Sequence, residues 1–177
     1  ARSAVRERGW APVHALLRED APGGRLLGCS PLYVKGHSAG EYVFDHGWAE
    51  AYPQMCPGRS YYPKLQSCIP FTPVTGPRLL AGAAASPEER VRLVEALGRG
   101  LVEVGEHLGT SGVHLTFGTG EEWAALRAQG WLGRRGIQYH WENRGYADFD
   151  DFLMALKQSK RKNIRQERKR VAAAGVR

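Results

Sequence analysis

The stretch QYHWENRGYADFDDFLMALKQSKRKNIRQERKRV, from Gln138 to Val171, decides how this chain is organised. It begins as a strand-like run rich in polar hydrogen-bonding residues, turns at Asn143–Gly145 and continues as a helical pattern. Asp148 suits the N-cap of that helix, and Asp150 and Asp151 suit its first turn, because acidic groups stabilise a helix N-terminus. The stretch therefore predicts a strand, a turn and one long helix.

The second half of this predicted helix holds the excess charge of the chain. Positions 157–170 contain eight basic residues and one acidic residue, and the whole chain has a formal net charge of +7. The remainder is therefore electrically balanced. A basic run this dense favours an anionic partner, with RNA or a protein complex first, over a solvated helix face. Electrostatic attachment to an anionic membrane surface is a further alternative. The residues expected to bind the anion are Lys160, Arg161, Lys162, Arg165, Arg168, Lys169 and Arg170.

The composition is that of a soluble globular protein, with 42% hydrophobic and 24% charged residues among 177. No apolar run approaches the roughly 20 residues that a transmembrane helix needs, and there is no secretory signal pattern. Cys29, Cys56 and Cys68 show no C-x-x-C spacing, so we expect reduced thiols and no metal site. The expected location is intracellular: the cytoplasm of a bacterium, or the chloroplast or mitochondrial matrix of a eukaryote.

The N-terminal part of the chain predicts mainly strands. Trp10–Arg18 and Arg25–Lys35 flank a Pro-Gly-Gly turn and predict a β-hairpin. Glu41–Asp45 alternates and predicts another short strand. Gly47–Tyr52 predicts a helical turn that stops at Pro53.

The segment from Pro57 to Pro77 contains five prolines and predicts an ordered loop without regular structure. Lys64 and Arg78 lie among the aromatic residues and prolines of this region. That setting suits an anionic or carbonyl-bearing ligand held against a rigid wall. The alternative is a packed loop with two surface charges.

The following region predicts alternating helices and strands. Ser86 and Glu89 have capping-box spacing and begin a helix that ends at Gly109. Residues 113–117 predict a buried strand, and residues 119–130 a second capped helix. With a further strand in the run up to Trp141, the order of elements predicts an α/β or α+β fold.

Two motifs near residue 40 have competing interpretations. Gly36–Gly40 fits the G-x-S-x-G pattern of a hydrolase nucleophile, but that motif requires a helix after it, and a strand is predicted here. A tight loop between strands is therefore favoured. His37, Glu41, Asp45 and His46 match no known metal-ligand spacing, which favours a hydrogen-bond network over a metal site.

Histidines are the other candidates for chemistry. His114 lies in an apolar strand, where a histidine is more often a satisfied core residue than a base. Gln138, His140 and Asn143 are polar residues that could line a cleft, and His140 is a candidate general base if it faces that cleft.

Four longer phrases carry a family resemblance: YVKGHSAGEYVFDHGWAEAY (33–52), YYPKLQSCIPFTPVTGPRLL (61–80), SGVHLTF (111–117) and residues 138–168. They resemble the peptidoglycan-biosynthesis/FemAB-like N-acyltransferase family of the GNAT superfamily. The resemblance implies a GNAT-like mixed sheet flanked by helices and ending in a long basic C-terminal helix. It also implies that residues 1–147 form a first lobe, and that residues 148–177 form a helix leading to a second lobe that this sequence lacks.

The implied activity is transfer of an acyl or aminoacyl group to an amine, with acyl-CoA or aminoacyl-tRNA as donor and no metal. The Gly-rich loop with which GNAT enzymes bind coenzyme A is missing, so this stretch alone is expected to be inactive. The alternative is an acyltransferase-derived structural subunit of a larger assembly, such as an organellar ribonucleoprotein, docked through the basic helix. The catalytic residues expected from this resemblance and from side-chain chemistry are Glu41, His114 and His140. The expected substrate-binding residues are Tyr62, Lys64, Arg78, Gln138 and Asn143.

Overall fold

A computed structural model describes residues 4–82 and 86–176 and shows a mixed α+β fold. The chain divides into two compact units, one ending at Gly136 and the other beginning at Ile137. The first unit contains the strands described below, and the second contains the basic C-terminal helix. The predicted fold class is confirmed.

The predicted N-terminal hairpin is confirmed, but each of its arms is divided between two sheets. The strands are β1 (Trp10–Pro12), β2 (Ala15–Arg18), β3 (Leu26–Ser30) and β4 (Leu32–Lys35). β2 pairs antiparallel with β3, and β1 pairs antiparallel with β4. Pro31 separates β3 from β4, and its missing N–H interrupts the ladder at the point where the chain passes from one sheet to the other.

Three more strands complete the sheets of the described ranges: β5 (Lys64–Ser67), β6 (Leu80–Ala81) and β7 (Val113–Leu115). One sheet has the order β1-β4-β5-β7, in which β5 is antiparallel to β4 and parallel to β7. The other has the order β2-β3-β6 and is antiparallel.

The prediction that Pro57–Pro77 lacks regular structure is wrong, because β5 lies within it. Pro63 and Pro70 leave the residues between them free of proline, and that window accommodates a four-residue strand. All four residues of β5 are buried, since it is an inner strand of its sheet.

The predicted strand at Glu41–Asp45 is absent. Tyr42 and Phe44 have φ values of 59° and 47°, and left-handed residues cannot continue a strand. The next element, α1 (His46–Met55), is longer than predicted. It continues past Pro53, which costs it a backbone hydrogen bond but does not end it.

The two predicted capped helices are confirmed. They are α2 (Pro87–His107) and α3 (Gly120–Ala128). Ser86 accepts a hydrogen bond from a first-turn backbone N–H of α2 at 3.2 Å. Thr119 begins α3 with a complete capping box, which satisfies backbone donors in both directions.

Helix α2 packs against the strands and makes the parallel pairing of β5 with β7 possible. Parallel neighbours need a long crossover connection, and α2 lies in the chain between these two strands. The apolar side chains of α2 and α3 join those of the sheets in one core. Its buried members are Leu32, Leu65, Leu79, Val94, Leu97, Leu101 and Leu126.

The chain from Trp131 onward departs from its prediction in two ways. The segment Trp131–Trp141 forms no strand: it is largely exposed and lacks a pairing partner among the described strands. The long C-terminal helix is two helices, α4 (Phe149–Met154) and α5 (Gln158–Ala173). Asp148 caps α4 as predicted, whereas Lys157 precedes α5 with a ψ of 144°, which interrupts the helical backbone.

Candidate functional site

Lys64 is the centre of a buried charge cluster in the first unit. It is the first residue of β5, and its side chain is 0% exposed. Its Nζ donates to Glu41 Oε2 at 2.7 Å and to Asp45 Oδ2 at 2.6 Å. Tyr42 and Phe44, between the two acids, have left-handed backbone conformations. Their side chains are exposed, while the carboxylates of Glu41 and Asp45 both reach the Lys64 ammonium. Glu41 and Asp45 thus meet at Lys64 from a loop and not from a strand.

Lys35 is a second buried cation beside the first. It lies opposite Lys64 in the register of β4 and β5. Its Nζ is 3.4 Å from the ring centroid of Trp10 and 3.8 Å from Glu41 Oε1. Burial disfavours its ammonium form and lowers the pKa of Lys35 to about 8, although the nearby Glu41 carboxylate opposes the shift.

The two carboxylates respond differently to the same surroundings. Burial raises the pKa of Glu41, and the hydrogen bond from Lys64 only opposes this. Burial alone would also raise the pKa of Asp45, but hydrogen bonds, first from Lys64 and also from Tyr61, hold that pKa well below its usual range. Tyr61 donates its hydroxyl to Asp45 Oδ2 at 2.7 Å. Asp45 is therefore ionised at neutral pH and binds both donors.

His114 lies at the edge of this cluster. It is the middle residue of β7, half-buried and in register with Gln66 of β5. Its ring meets that of Tyr61 edge-on, with the centroids 5.9 Å apart. Burial lowers the pKa of His114 to about 4, and the positive charge of Lys64 adds to the shift. The imidazole is therefore neutral at pH 7, with a nitrogen able to accept a hydrogen bond or a proton.

The predicted substrate residue Tyr62 lies next to this group and contacts the G-x-S-x-G loop. Its hydroxyl shares a hydrogen bond of 2.9 Å with Ser38 Oγ, and its ring centroid is 5.0 Å from that of Tyr61. Ser38 thus pairs with a tyrosine and not with a histidine. Gly36–Gly40 is also followed by the loop that holds Glu41 and not by a helix, so the structure does not form a hydrolase nucleophile elbow.

Arg78 and Lys64, predicted to bind substrate, both use their charged groups within the protein. The Arg78 guanidinium is buried and donates to the backbone carbonyls of Thr116 at 3.1 Å, Gly76 at 3.0 Å and Val74 at 2.7 Å. These bonds fix the proline-rich loop to the end of β7. A substrate role for either residue stays a prediction.

The remaining predicted residues belong to the second unit. Gln138, His140 and Asn143 are exposed, and His140 Nε2 is 3.1 Å from Gln138 Oε1. Asn143 Oδ1 accepts from two backbone N–H groups of the turn that follows, which is the usual role of asparagine in such turns. Glu41 and His114 lie in the first unit, so the structure does not describe the five as one site.

Sequence reasoning missed Lys35 and Tyr61 as members of the cluster. The available signal was Lys35 at the end of the largely apolar strand segment Leu32–Lys35, because a lysine is rarely buried unless it is paired. Tyr61 carried no separate signal, since its bond to Asp45 depends on a loop conformation that the sequence did not predict.

Two features of residues 4–82 and 86–176 bear on other functions. No three histidine, cysteine, aspartate or glutamate side chains cluster there as metal ligands would. None of the helices in these ranges has both the length and the hydropathy needed to cross a bilayer.

Comparison with known proteins places the chain in a family. A family model described as FemAB-like, peptidoglycan biosynthesis/recognition, matches residues 1–177. Searches of curated proteins and of solved structures each found no significant match. Because the family match covers the whole sequence, the chain belongs to the FemAB-like family of peptidoglycan biosynthesis and recognition.

Proposed function

We propose that this chain is part of an enzyme that transfers an acyl or aminoacyl group to an amine of a peptidoglycan precursor. The family match over residues 1–177 is the observation that carries the proposal. Peptidoglycan contains peptides with amino groups, and joining an acyl group to an amine makes an amide bond. The alternative role as a structural ribonucleoprotein subunit gains no support from this match.

The proposed reaction has a simple balance. The amine nitrogen attacks the carbonyl carbon of an ester or thioester donor and forms a C–N bond, and the bond from that carbon to the leaving oxygen or sulfur breaks. The nitrogen loses a proton, which passes through a general base to the leaving group. Products are an amide and a free hydroxyl or thiol.

His114 is the best-placed base among the predicted catalytic residues of the first unit. It is half-buried and neutral at pH 7, so one ring nitrogen is available to a substrate. Glu41 is only 2% exposed and holds Lys64, so we propose that it acts by positioning the cluster and not by contacting the substrate. Tyr61 connects the charge cluster to His114, since its hydroxyl donates to Asp45 and its ring packs on the His114 ring.

We propose an aminoacyl-tRNA as the donor in preference to acyl-CoA. The basic residues of α5 suit a long phosphate backbone better than a single pyrophosphate. The Gly-rich coenzyme A loop of GNAT enzymes is missing from the sequence. The parallel pair β5 and β7, joined through α2, is compatible with an acyltransferase lobe.

The test is a transfer assay with the full-length natural protein. Bacterial tRNAs charged with labelled amino acids are offered with a peptidoglycan precursor that has a free amine, and labelled amide product is measured; a parallel reaction contains labelled acyl-CoA. We expect product with charged tRNA, and a loss of at least about 100-fold in rate on His114→Asn, because general bases typically contribute 10²–10⁴-fold.

The matched control is His46→Asn, at an exposed position outside the cluster, which should leave the rate unchanged. A folded wild-type protein that forms no amide from either donor would refute the proposed function. Activity that survives His114→Asn would refute the role of His114 alone.

A further inference from the structure

The basic residues of α5 fall into two groups with different surroundings. Three arginines reach back to α4. Arg161 Nη1 lies 3.0 Å from the sulfur of Met154, and Arg165 Nη2 lies 3.3 Å from Asp150 Oδ1. The Arg168 guanidinium lies 4.2 Å above the ring of Phe149.

These contacts show how the two helices run. Later positions on α5 meet earlier positions on α4, from Met154 back to Phe149, so the helices are antiparallel. The three arginines are spaced four and three residues apart, which places them on one face of α5. That face packs on α4, with a sulfur contact, an ion pair and a cation–π contact.

The other basic residues of α5 make none of these contacts with α4. Lys160, Lys162, Lys169 and Arg170 are exposed, and no described residue pairs with any of them. Lys162 and Lys169 are seven residues apart and therefore lie on the same side of the helix. Lys160 lies on the opposite side, and Arg170 lies between the two positions. Glu167 is the only acidic residue of α5.

We propose that Lys160, Lys162, Lys169 and Arg170 bind the phosphate backbone of an RNA, while Arg161, Arg165 and Arg168 hold α5 against α4. No aromatic residue lies between positions 157 and 170, so these cations can contact phosphates but cannot stack on bases. Binding is therefore independent of base sequence and steep in salt. The choice of RNA over other polyanions rests on the proposed function, whose donor is an aminoacyl-tRNA.

The experiment compares two variants of the full-length protein that remove equal charge. One carries K160Q, K162Q and K169Q, and the other carries R161Q, R165Q and R168Q. Binding of deacylated tRNA is measured by fluorescence anisotropy between 50 and 200 mM salt. Helix content is followed by circular dichroism during heating.

We expect the lysine variant to keep its helix content. The slope of log K against log salt, where K is the tRNA-binding constant, should fall in magnitude by about 2, because each phosphate that is no longer neutralised contributes roughly 0.7. The arginine variant should lose helix content at lower temperature, and its slope should fall by less than half as much. Equal decreases in slope would overturn the division into two groups. Binding to anionic phospholipid vesicles without binding to tRNA would overturn the choice of RNA.

Deacylated tRNA carries no group to transfer, so this test is separate from the activity assay. A protein that transfers an acyl group but does not bind tRNA would retain the proposed function and lose this inference. A protein that binds tRNA through the lysines but transfers nothing would retain the inference and lose the function.

Discussion

Lys64 illustrates how this sheet tolerates a buried charge. An ammonium removed from water costs several kcal/mol unless it is paired and hydrogen-bonded. Lys64 donates to both Glu41 and Asp45, whereas Lys35 is 3.8 Å from its nearest carboxylate oxygen and contacts the Trp10 ring. The poorer pairing of Lys35 agrees with its lowered pKa. At the residue scale, the cluster pairs two lysines with two carboxyl groups that are unevenly hydrogen-bonded.

His114 should make the stability of the protein depend on pH in the acidic range. Its pKa is lowered from 6.5 to about 4 in the folded protein, so between these values the unfolded chain binds more protons. Stability therefore rises with pH through this window and is lost as pH falls from 6.5 to 4. The shift corresponds to about 3 kcal/mol. The measurement is the free energy of unfolding by urea at several pH values.

The variant His114→Phe isolates this contribution. Phenylalanine keeps a ring at the position but cannot bind a proton. The decrease in the free energy of unfolding between pH 6.5 and 4 should therefore be smaller than in the wild type by about 3 kcal/mol. His140→Phe, at an exposed position, is the control and should retain the full loss. If wild type and His114→Phe show the same pH dependence, burial does not lower the pKa of His114.

Three residues in and beside the charge cluster were named from the sequence, but the geometry of the cluster was not predicted. Glu41, Lys64 and His114 were recognised from their chemistry, and the structure places all three in the first unit. Their actual arrangement depends on the left-handed conformation of Tyr42 and Phe44. Non-glycine residues adopt that conformation only where tertiary contacts favour it, so no local pattern predicts it.

Glu122 shows the same dependence on distant residues at the scale of whole elements, because it joins helix α3 to the entry of strand β6. Its Oε2 accepts from Thr119 N at 2.8 Å and completes the cap of α3. Its Oε1 accepts from Arg78 N and Leu79 N, each at 2.5 Å, at the entry to β6. A capping residue at the surface usually serves one helix, whereas Glu122 is buried and also fixes a strand.

Glu122→Gln should destabilise the protein by about 1–3 kcal/mol, the cost of leaving a buried donor unsatisfied. The glutamine amide has only one oxygen, so its NH₂ group must face either Thr119 N or the N–H groups of Arg78 and Leu79. Unfolding by urea measures the decrease in stability. Hydrogen exchange of the Leu79 amide, which donates to Glu122, should become faster.

The neighbouring Glu121→Gln is the control for this prediction. Glu121 lies in the same first turn but is exposed, so its replacement should change stability by less than about 0.5 kcal/mol. Equal effects of the two substitutions would mean that the helix dipole, and not the buried hydrogen bonds, accounts for the loss.

Helices were predicted better than strands for a physical reason. The caps of α2, α3 and α4 depend on residues within one turn, which a sequence displays directly. Strand pairing depends on distant residues. The predicted strand at Trp131–Trp141 therefore failed, and β5 was overlooked between its prolines.

At the scale of the whole molecule, the segment from Trp131 to Trp141 contains the boundary between the two units. It has no regular structure, and its side chains Tyr139 and Ile137 are 95% and 83% exposed. A protease needs several residues of backbone that can leave the protein surface, and exposed segments without ladder or helix bonds provide them. The first unit also displays an exposed aromatic residue, Phe44, at 81%. Exposure alone therefore does not decide which site is cut first.

Chymotrypsin under native conditions should cut first after Tyr139 or Trp141 and only later after Phe44. The backbone around Phe44 is held on both sides, because Glu41 and Asp45 bind Lys64, so cleavage there requires the charge cluster to open. Mass spectrometry of the earliest fragments identifies the cut. The variant Y139S removes one of the preferred residues and should move the first cleavage to Trp141 without changing the midpoint of urea unfolding, since the Tyr139 side chain is 95% exposed. If Phe44 is cut first in the wild type, the cluster around Lys64 does not hold its loop, and the proposed positioning role of Glu41 fails with it.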